Sequence, residues 1–542
     1  MSRYEVINPV SVRVWPGLGH WNLYFLLKFV LLWAGYLNLQ IVPNLVFAAA
    51  LLLPLPYRYL RILRTVIAIP VGVALFYQDT WLPPFSRLLA QPGVLSFTGA
   101  YAVELVGRFI DWNLCALLVV LAVVYAFVRH WLRLTTLSVL GLAWLASANV
   151  LSLHASSEPV AASPGGAPVA AASTAAPDSA TLEAYLQKFY STEAGRKVEF
   201  KPATSAVQPF DLLLINICSM AWDDLDAVGL RDNTLFQQMD MIFDNFNSAT
   251  SYSGPAAIRL LRANCGQVPH SQLYGTPPEQ CLLMGDLSKL GFANEVMLNH
   301  TGQFEGFLDE VRAQGSLPAP AVSTRKLPRE LVGFDGSPIL RDAQVLDTWW
   351  KHREEEKSDR VALFYNTTTL HDGNRTLTAD GGTKSSDYKP RAQGLIDDLN
   401  GFIKQLELSG RRVVVVIVPE HGAALHGDRM QISGMREIPS QSITHVPVGI
   451  KLVGMGRNPA AAPLHITEPS SFLALSEIIS RLYSAQSQGE GQGPDWSALL
   501  SNLPQTAAVS ENAGTVVVDY GGKPYIRLKE KAGWLPYPQR FK

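Results

Sequence analysis

Hydrophobic positions are unevenly distributed along the 542-residue chain and divide it into two parts. The first part, residues 1–153, carries apolar runs that are each long enough, or nearly so, to cross a bilayer core of about 30 Å. These runs lie at about 22–40, 41–57, 60–78, 113–129 and 132–153. The pattern predicts an all-α transmembrane anchor of about five helices. The second run is short and contains Pro43 and Pro54, so its limits are the least well defined.

Positive charges predict the orientation of this anchor, because arginine and lysine are enriched in cytoplasmic loops. One group of arginines precedes the first run, and others fall between the second and third and between the fourth and fifth runs. They are Arg3, Arg13, Arg58, Arg61, Arg64, Arg129 and Arg133. With these loops inside, the loop at 79–112 and everything after the fifth run are expected outside.

Two further features of the anchor have simple interpretations. Lys28, inside the first run, is expected to snorkel toward the interface, with a lipid headgroup site as the alternative. The outer loop carries Glu104, Arg108 and Asp111 among apolar residues, which favours an amphipathic helix on the membrane surface.

The composition changes after residue 153. Residues 154–204 begin with an Ala-, Pro- and Ser-rich tether that cannot form a core, followed by a short helix at Thr181–Phe189. From about 205 to 542, strands alternate with helices, which indicates an α/β sheet. The strands are predicted at 210–217, 238–246, 292–299, 360–366, 413–418 and 445–452, with a long helix at 390–408 and a hairpin at 515–528 that turns at Gly521-Gly522.

Chemically competent side chains follow the ends of several of these strands. They are Cys218, Ser253, His371, Glu420, His421 and His426. Each taken alone is more often structural than functional, but the carboxyl ends of parallel strands meet at one sheet edge, where ligands bind. Thiolate, imidazole and carboxylate are zinc ligands, and Ser253 lies at the start of a predicted helix, which favours an anion. The sequence therefore predicts a metal site at this edge.

Charge and cysteine content narrow the functional classes. The net charge of −1 and the absence of a basic stripe give no argument for nucleic-acid binding. Of the four cysteines, Cys265 and Cys281 flank a polar loop on the predicted outer side, where a disulfide is favoured. Cys218 ends a strand that faces the predicted site, although an unpaired cysteine is most often a small buried hydrophobe.

Five segments carry a resemblance to a known family. They are Asn216–Asp224, Asn247–Arg262, Thr369–Gly373, Pro419–Arg429 and Gly434–Pro439. Together they resemble the alkaline phosphatase/sulfatase superfamily, in particular its membrane-anchored phosphoethanolamine transferases, and most closely the branch that modifies cellulose. The resemblance covers nearly the whole chain. It implies a mixed sheet flanked by helices, preceded by the transmembrane anchor.

The resemblance also implies roles for individual residues. Cys218, Ser253, Glu420 and His421 would surround one zinc ion, with Ser253 as the nucleophile. His371 and His426 would bind phosphate or transfer protons, and Tyr252 and Arg436 would be further site residues, although a packed aromatic is the alternative for Tyr252. The lipid A-modifying relatives have a carboxylate at the position of Cys218, a threonine nucleophile and Asp-His in place of Glu420-His421. These departures favour the cellulose branch.

The implied reaction transfers phosphoethanolamine from phosphatidylethanolamine to the C6 hydroxyl of glucosyl units in nascent cellulose. The anchor would hold the protein in the inner membrane beside subunits of the cellulose synthase complex, with the catalytic domain in the periplasm. Trp222, Trp349 and Trp350 are possible stacking surfaces for the polysaccharide, with a place in the core as the alternative for Trp349 and Trp350.

Three other functions remain open from the sequence. The acceptor could be lipid A or another glycan. The enzyme could instead be a tethered phosphodiesterase or sulfatase, although Ser253-Gly-Pro-Ala-Ala lacks the arginine that sulfatases carry at the fifth position of their motif. The protein could also act mainly as a scaffold of the cellulose secretion complex.

Overall fold

The structure is a computed structural model that describes residues 17–34, 37–80, 97–108, 112–155, 176–202, 208–455, 461–485, 494–528 and 533–538. Arg3, Arg13, Asp111 and most of the predicted tether lie outside the described residues.

The helices and strands are numbered here in chain order. The α-helices are α1 Trp21–Trp33, α2 Ile41–Leu52, α3 Arg58–Asp79, α4 Gly99–Arg108, α5 Trp112–Val128, α6 Leu134–Ala155, α7 Ser179–Glu193, α8 Trp222–Val228, α9 Thr234–Gln237, α10 Ser253–Leu261, α11 Leu283–Lys289, α12 Phe307–Gly315, α13 Asp342–Glu355, α14 Tyr388–Leu408, α15 Gln441–Thr444, α16 Phe472–Ala485 and α17 Trp496–Leu500. The strands are β1 Asp211–Ile217, β2 Met241–Asn247, β3 Ala293–Leu298, β4 Arg329–Val332, β5 Pro338–Leu340, β6 Val361–Thr367, β7 Arg375–Leu377, β8 Thr383–Ser385, β9 Val413–Pro419, β10 His445–Val453, β11 Leu464–Ile466, β12 Val509–Asn512, β13 Thr515–Tyr520, β14 Lys523–Arg527 and β15 Leu535–Pro536.

These elements group into two compact units. The first comprises Met1–Leu82 and Phe109–Thr174, and the second comprises Pro83–Arg108 and Ala175–Lys542. Helices α4 and α7 therefore belong to the second unit, although the sequence suggested an anchor up to residue 153 and a linker up to residue 204.

The first unit is helical. Among the described residues, α3 is the one helix long and apolar enough to cross a membrane. Shorter apolar helices lie at Trp21–Trp33, Ile41–Leu52, Val119–Val128 and Leu134–Ser147. The number of spans and their orientation stay predictions.

The expectation that Lys28 snorkels is wrong. Its side chain is fully buried, and Nζ lies 2.7 Å from Asp79 Oδ2 and 2.9 Å from Asn44 Oδ1. Nζ also lies 4.4 Å from the ring centroid of Tyr24. A buried ammonium needs a counter-charge and hydrogen-bond acceptors, and the end of α3 supplies both through Asp79.

The second unit is built on a seven-stranded mixed sheet with the order β11-β2-β10-β9-β1-β6-β3. Strand β1 pairs in parallel with both β6 and β9, whereas β10 is antiparallel to β9 and β2. The predicted α/β class is confirmed. Every residue of β9 is buried, as expected for a central strand whose two faces are both covered.

Large hydrophobic cores lie on both faces of the sheet. One of them contains Trp349 and Trp350, which are 0% and 1% exposed, so the core interpretation is correct for this pair. Trp222 is buried in the same core. The guanidinium carbon of Arg231 lies over the Trp222 ring, 4.7 Å from the ring centroid. The tryptophans proposed for polysaccharide stacking are therefore packed inside the protein.

Two four-stranded sheets complete the second unit, with the orders β12-β13-β14-β15 and β5-β4-β7-β8. The predicted hairpin is present as β13 and β14. Gly521 and Gly522 join them with φ values of 62° and 75°, which a two-residue hairpin turn requires and glycine adopts without strain. The predicted disulfide between Cys265 and Cys281 is also present.

Candidate active site

The site lies at the edge where three parallel strands end at one level. Ile217, the last residue of β1, pairs with Thr367 of β6 and with Pro419 of β9. The next residues are tied across these strands, because Cys218 N–H donates to Thr367 O at 2.9 Å and Glu420 N–H donates to Ile217 O at 2.9 Å. The backbone ladder thus brings Cys218 and Glu420 side by side.

Ser253 reaches the same place from another direction. Strand β2 ends at Asn247, and α10 begins at Ser253 after Tyr252 in extended backbone geometry. Ser253 Oγ lies 3.3 Å from Cys218 Sγ and 3.3 Å from His421 Nε2. Because this oxygen lies in the first turn of α10, it is close to free N–H groups and the positive end of the helix dipole.

The donor atoms of Cys218, Glu420 and His421 all lie within 4.8 Å of one another, and the three residues are buried. The distance from His421 Nε2 is 3.8 Å to Cys218 Sγ and 3.9 Å to Glu420 Oε2. Tetrahedral zinc with bonds of about 2.0–2.3 Å places its ligand atoms roughly 3.3–3.8 Å apart. Glu420 Oε2 is also buried without a hydrogen-bond partner among the described residues. The residues present therefore fit a zinc ion.

The protonation preferences of these groups agree with a site made for a cation. Burial raises the pKa of Cys218 to about 12, with the Glu420 charge adding to the effect. Burial also raises the pKa of Glu420 to about 7 and lowers the pKa of His421 well below its usual value. His421 Nδ1 lies 2.8 Å from Gly422 O, so Nδ1 carries the proton and the lone pair of Nε2 faces Cys218 and Ser253.

Arg436 stands between this cluster and His371. Its Nη1 lies 3.1 Å from Ser219 Oγ and 3.3 Å from His421 Nδ1, and its Nη2 lies 3.4 Å from His371 Nε2. Burial, with the Arg436 charge as the second cause, lowers the pKa of His371 to about 3. A fixed guanidinium in this position suits phosphoryl oxygens.

The other two predicted site residues have different neighbours. Tyr252 immediately precedes Ser253 and donates from Oη to Glu437 Oε1 at 2.8 Å. His426 is half-exposed, and its Nδ1 lies 3.5 Å from Asp223 Oδ2. The structure thus gathers Cys218, Ser253, His371, Glu420, His421 and Arg436, and places His426 toward solvent.

Several residues that support the site were missed by the sequence analysis. Buried Asp224 accepts N–H groups of Ala221, Ala423 and Leu425 at 3.0, 2.7 and 3.2 Å, which fixes the loop that follows His421. Asn366 Nδ2 donates to Glu420 Oε1 at 2.6 Å, and Asn366 Oδ1 lies 2.8 Å from His300 Nε2. His300 follows a predicted strand, so the strand-end criterion applied to it as well.

A cover of aromatic residues borders the His371 side of the site. Phe334 stacks on the His371 ring at a centroid distance of 4.4 Å. Helix α4 and the residues before it lie against Phe334, since Thr98 N–H donates to Phe334 O at 3.0 Å and Phe97 packs edge-on at 5.6 Å. Tyr101 Oη donates to Asp372 Oδ2 at 2.8 Å.

Fold and site together define a class of protein: an α/β protein in which a serine at a helix start joins a buried Cys-Glu-His donor set. The family follows from sequence comparison. Residues 21–147 match the model of the cellulose biosynthesis protein BcsG N-terminal domain, and residues 167–534 match that of the C-terminal domain. The chain therefore belongs to the BcsG family, which confirms the resemblance.

Two relatives match over nearly the full length. The chain is 48% identical to cellulose biosynthesis protein BcsG of Escherichia coli K12 over 552 residues, and 47% identical to that of Salmonella typhimurium LT2 over 549 residues. Each comparison covers 97% of both chains.

Solved structures give weaker likenesses. An alkaline phosphatase superfamily protein of Vibrio parahaemolyticus has a TM-score of 0.44 at 11% identity, covering 66% of this chain and 91% of that one. The lipooligosaccharide phosphoethanolamine transferase A of Neisseria meningitidis has a TM-score of 0.42 at 15% identity, covering 90% and 97%.

Proposed function

We propose that this protein is a zinc-dependent phosphoethanolamine transferase that moves the headgroup of phosphatidylethanolamine to glucosyl C6 hydroxyls of cellulose. The observation that carries the proposal is the position of Ser253 Oγ, 3.3 Å from both Cys218 Sγ and His421 Nε2 at the start of α10. A serine hydroxyl placed within a metal donor set and at a helix N-terminus is suited to attack phosphorus. Membership of a family named for cellulose biosynthesis supports the acceptor.

In the first displacement, Ser253 Oγ forms a bond to the phosphorus of the lipid, and the bond from phosphorus to the diacylglycerol oxygen breaks. The proton that the serine hydroxyl gives up is transferred to the departing diacylglycerol oxygen. A zinc ion held by Cys218, Ser253, Glu420 and His421 would lower the pKa of the serine hydroxyl and polarise a phosphoryl oxygen. Arg436 binds the remaining phosphoryl oxygens.

In the second displacement, a sugar hydroxyl attacks the phosphoethanolamine carried on Ser253, the Oγ–P bond breaks, and the serine regains a proton. His371 Nδ1 lies 2.7 Å from Asp372 O, so Nδ1 donates and the lone pair of Nε2 is on the side of Arg436. We assign to His371 either the transfer of a proton from the acceptor hydroxyl to Ser253 or the binding of the phosphoryl group. His426, half-exposed at the rim, would assist at the entrance.

The location of the reaction follows from the donor. A lipid substrate requires the site to work at a membrane surface, which explains the apolar first unit, and we assign the protein to the inner membrane with the second unit in the periplasm. The disulfide between Cys265 and Cys281 supports an oxidising compartment. The anchor would contact subunits of the cellulose synthase complex.

The test is intact-mass analysis of the full-length protein in nanodiscs that contain phosphatidylethanolamine. Wild type is expected to carry a phosphoethanolamine adduct at Ser253, and Ser253→Ala is expected to lose both the adduct and, by at least ~10³-fold, the turnover. Ser271→Ala, which removes an exposed serine, is the matched control. Wild type that is treated with a chelator before it meets the lipid should form no adduct.

Addition of short cello-oligosaccharides should then discharge the adduct. Discharge by lipid A but not by a glucan would move the acceptor to lipid A, and discharge by water alone would indicate a phosphodiesterase. Zinc-loaded protein that forms no adduct and shows no turnover would contradict the transferase and favour a scaffold.

A further inference from the structure

A continuous chain of hydrogen bonds leads from the backbone at Gly302 to the metal-binding carboxylate. Gly302 N–H lies 3.2 Å from His300 Nδ1, and His300 Nε2 lies 2.8 Å from Asn366 Oδ1. Asn366 Nδ2 lies 2.6 Å from Glu420 Oε1 and 2.9 Å from Asn216 Oδ1. His300 is partly buried, whereas Asn366 is 1% exposed and Glu420 is fully buried, so the end of the chain at Glu420 is shielded from water.

The direction of every bond in this chain is determined by its first member. A backbone N–H can only donate, so His300 Nδ1 must accept and the proton of the neutral imidazole must be on Nε2. Nε2 therefore donates to Asn366 Oδ1, which fixes the amide orientation and aims its Nδ2 at Glu420. Burial keeps His300 neutral, since it lowers the pKa of the imidazole to about 4.

We propose that His300 and Asn366 are positioning residues that hold the Glu420 carboxylate by Oε1, so that Oε2 stays turned toward Cys218 and His421. Glu420 Oε2 is the oxygen that lacks a partner among the described residues, and it lies 3.9 Å from His421 Nε2. The inference rests on the proposed metal site and adds to it the groups that orient one ligand. Hydrogen-bonded partners of this kind fix the geometry of metal ligands.

The geometry distinguishes this role from simple packing. A carboxylate on a flexible side chain has two oxygens that exchange by rotation, and each exchange costs the metal one ligand. The 2.6 Å bond from the Asn366 amide removes that freedom from Glu420. Loss of the bond should therefore weaken metal binding more than it weakens the fold.

The experiment measures the affinity of the full-length protein for Zn²⁺ alone, by competition with a chromogenic chelator. Asn366→Leu keeps the branched shape of the side chain and removes the donor, and a loss of about 10–100-fold in Zn²⁺ affinity is expected. At His300, Gln retains an N–H near the position of Nε2 and Leu does not. His300→Leu should show a similar loss, and His300→Gln should recover most of the affinity.

The control is Asn294→Leu at the opposite end of β3. Asn294 Nδ2 donates to Met284 O at 2.8 Å, so this change removes a comparable hydrogen bond from β3, the strand that pairs with β6, without touching the chain to Glu420. Its Zn²⁺ affinity should equal that of wild type. Circular dichroism and thermal melting identify any variant that fails to fold, and the His300 pair tests the inference independently of Asn366.

Equal Zn²⁺ affinities for wild type and folded Asn366→Leu would overturn the inference, as would equal affinities for His300→Gln and His300→Leu. Wild-type protein that binds no Zn²⁺ would overturn the inference and the proposed function together. Wild-type protein that binds Zn²⁺ and shows the expected losses in the variants, but transfers no phosphoethanolamine, would overturn the proposed function alone.

Discussion

At the scale of single residues, Arg436 is the most informative side chain outside the metal donor set. Its guanidinium touches Ser219, His421 and His371, three residues from three separate segments of the chain. Burial and the Arg436 charge lower the pKa of both histidines, so the space between them holds one permanent positive charge and suits an anion. The phosphoryl group of the proposed substrate is such an anion.

Arg436→Ala should therefore lower turnover by about 10²–10³-fold, the cost of removing one donor that stabilises a charged transition state. Arg436→Lys should recover only part of this, because lysine lacks the planar fork that spans two oxygens. Turnover in nanodiscs is the measurement, with bound zinc determined on the same samples. Arg341→Lys, a half-exposed arginine paired with Asp398, is the control. Full activity of Arg436→Ala with intact zinc would contradict this role.

The sequence predicted the reacting groups better than the residues that hydrogen-bond to them and fix their positions. Cys218 and Glu420 follow buried β-branched or aliphatic strands, and a strand end has a known place in a parallel sheet. His300 and Asn366 have the same strand-end position, but an asparagine offers no chemistry of its own and its partner is distant in sequence. The Lys28–Asp79 pair joins residues 51 positions apart, which no local pattern contains.

At the scale of elements, helix α4 differs most from expectation. The sequence suggested an amphipathic helix on the membrane surface, and the described residues form a helix that packs within the second unit. Its Tyr101 binds Asp372, and its Glu104 Oε2 lies 3.2 Å from Arg375 Nη1. Gly373 permits this approach, since a Cβ there would lie 2.6 Å from the Tyr101 ring.

Removing these two bonds should release α4 from the loop that carries His371. In Tyr101→Phe/Glu104→Ala, amide exchange within 97–108 should accelerate by about tenfold or more, because a hydrogen bond to a charged group contributes about 1.5–3 kcal/mol. Hydrogen exchange of the full-length protein in nanodiscs measures this. Tyr185→Phe, on helix α7, serves as control. Unchanged exchange in 97–108 would mean that other contacts hold the helix.

At the scale of the whole molecule, the α/β class was predictable because buried strands and amphipathic helices alternate clearly. The strand order was not, since the antiparallel insertion of β10 between β9 and β2 depends on contacts far apart in sequence. The boundary between the linker and the second unit also depends on contacts between residues far apart in sequence. Helix α7 buries Leu182, Leu186 and Phe189 against the C-terminal sheet, so a segment adjoining a tether is part of the folded unit.

Two partly buried histidines, His270 and His300, predict how the whole protein responds to acid. Burial lowers the pKa of His300 to about 4 and, together with the Arg259 charge, that of His270 to about 4. In the unfolded chain, a histidine has a pKa of about 6.5, so on acidification it takes up a proton before the folded protein does. The contribution of these histidines to the free energy of unfolding is therefore fully present above about pH 6.5 and decreases as the pH falls toward 4. For the partly buried His300 alone, this difference amounts to at most roughly 3 kcal/mol.

The melting temperature of the full-length protein should therefore decrease between pH 7 and pH 4.5. His270→Gln should reduce the decrease, because glutamine takes up no proton on unfolding. His465→Gln, which removes a half-exposed imidazole beside Asp244, is the control for loss of a ring as such. Differential scanning fluorimetry across this pH range gives the change of melting temperature with pH for each protein. A melting temperature that is flat with pH, or equal slopes for wild type and His270→Gln, would show that these histidines are protonated in the folded protein.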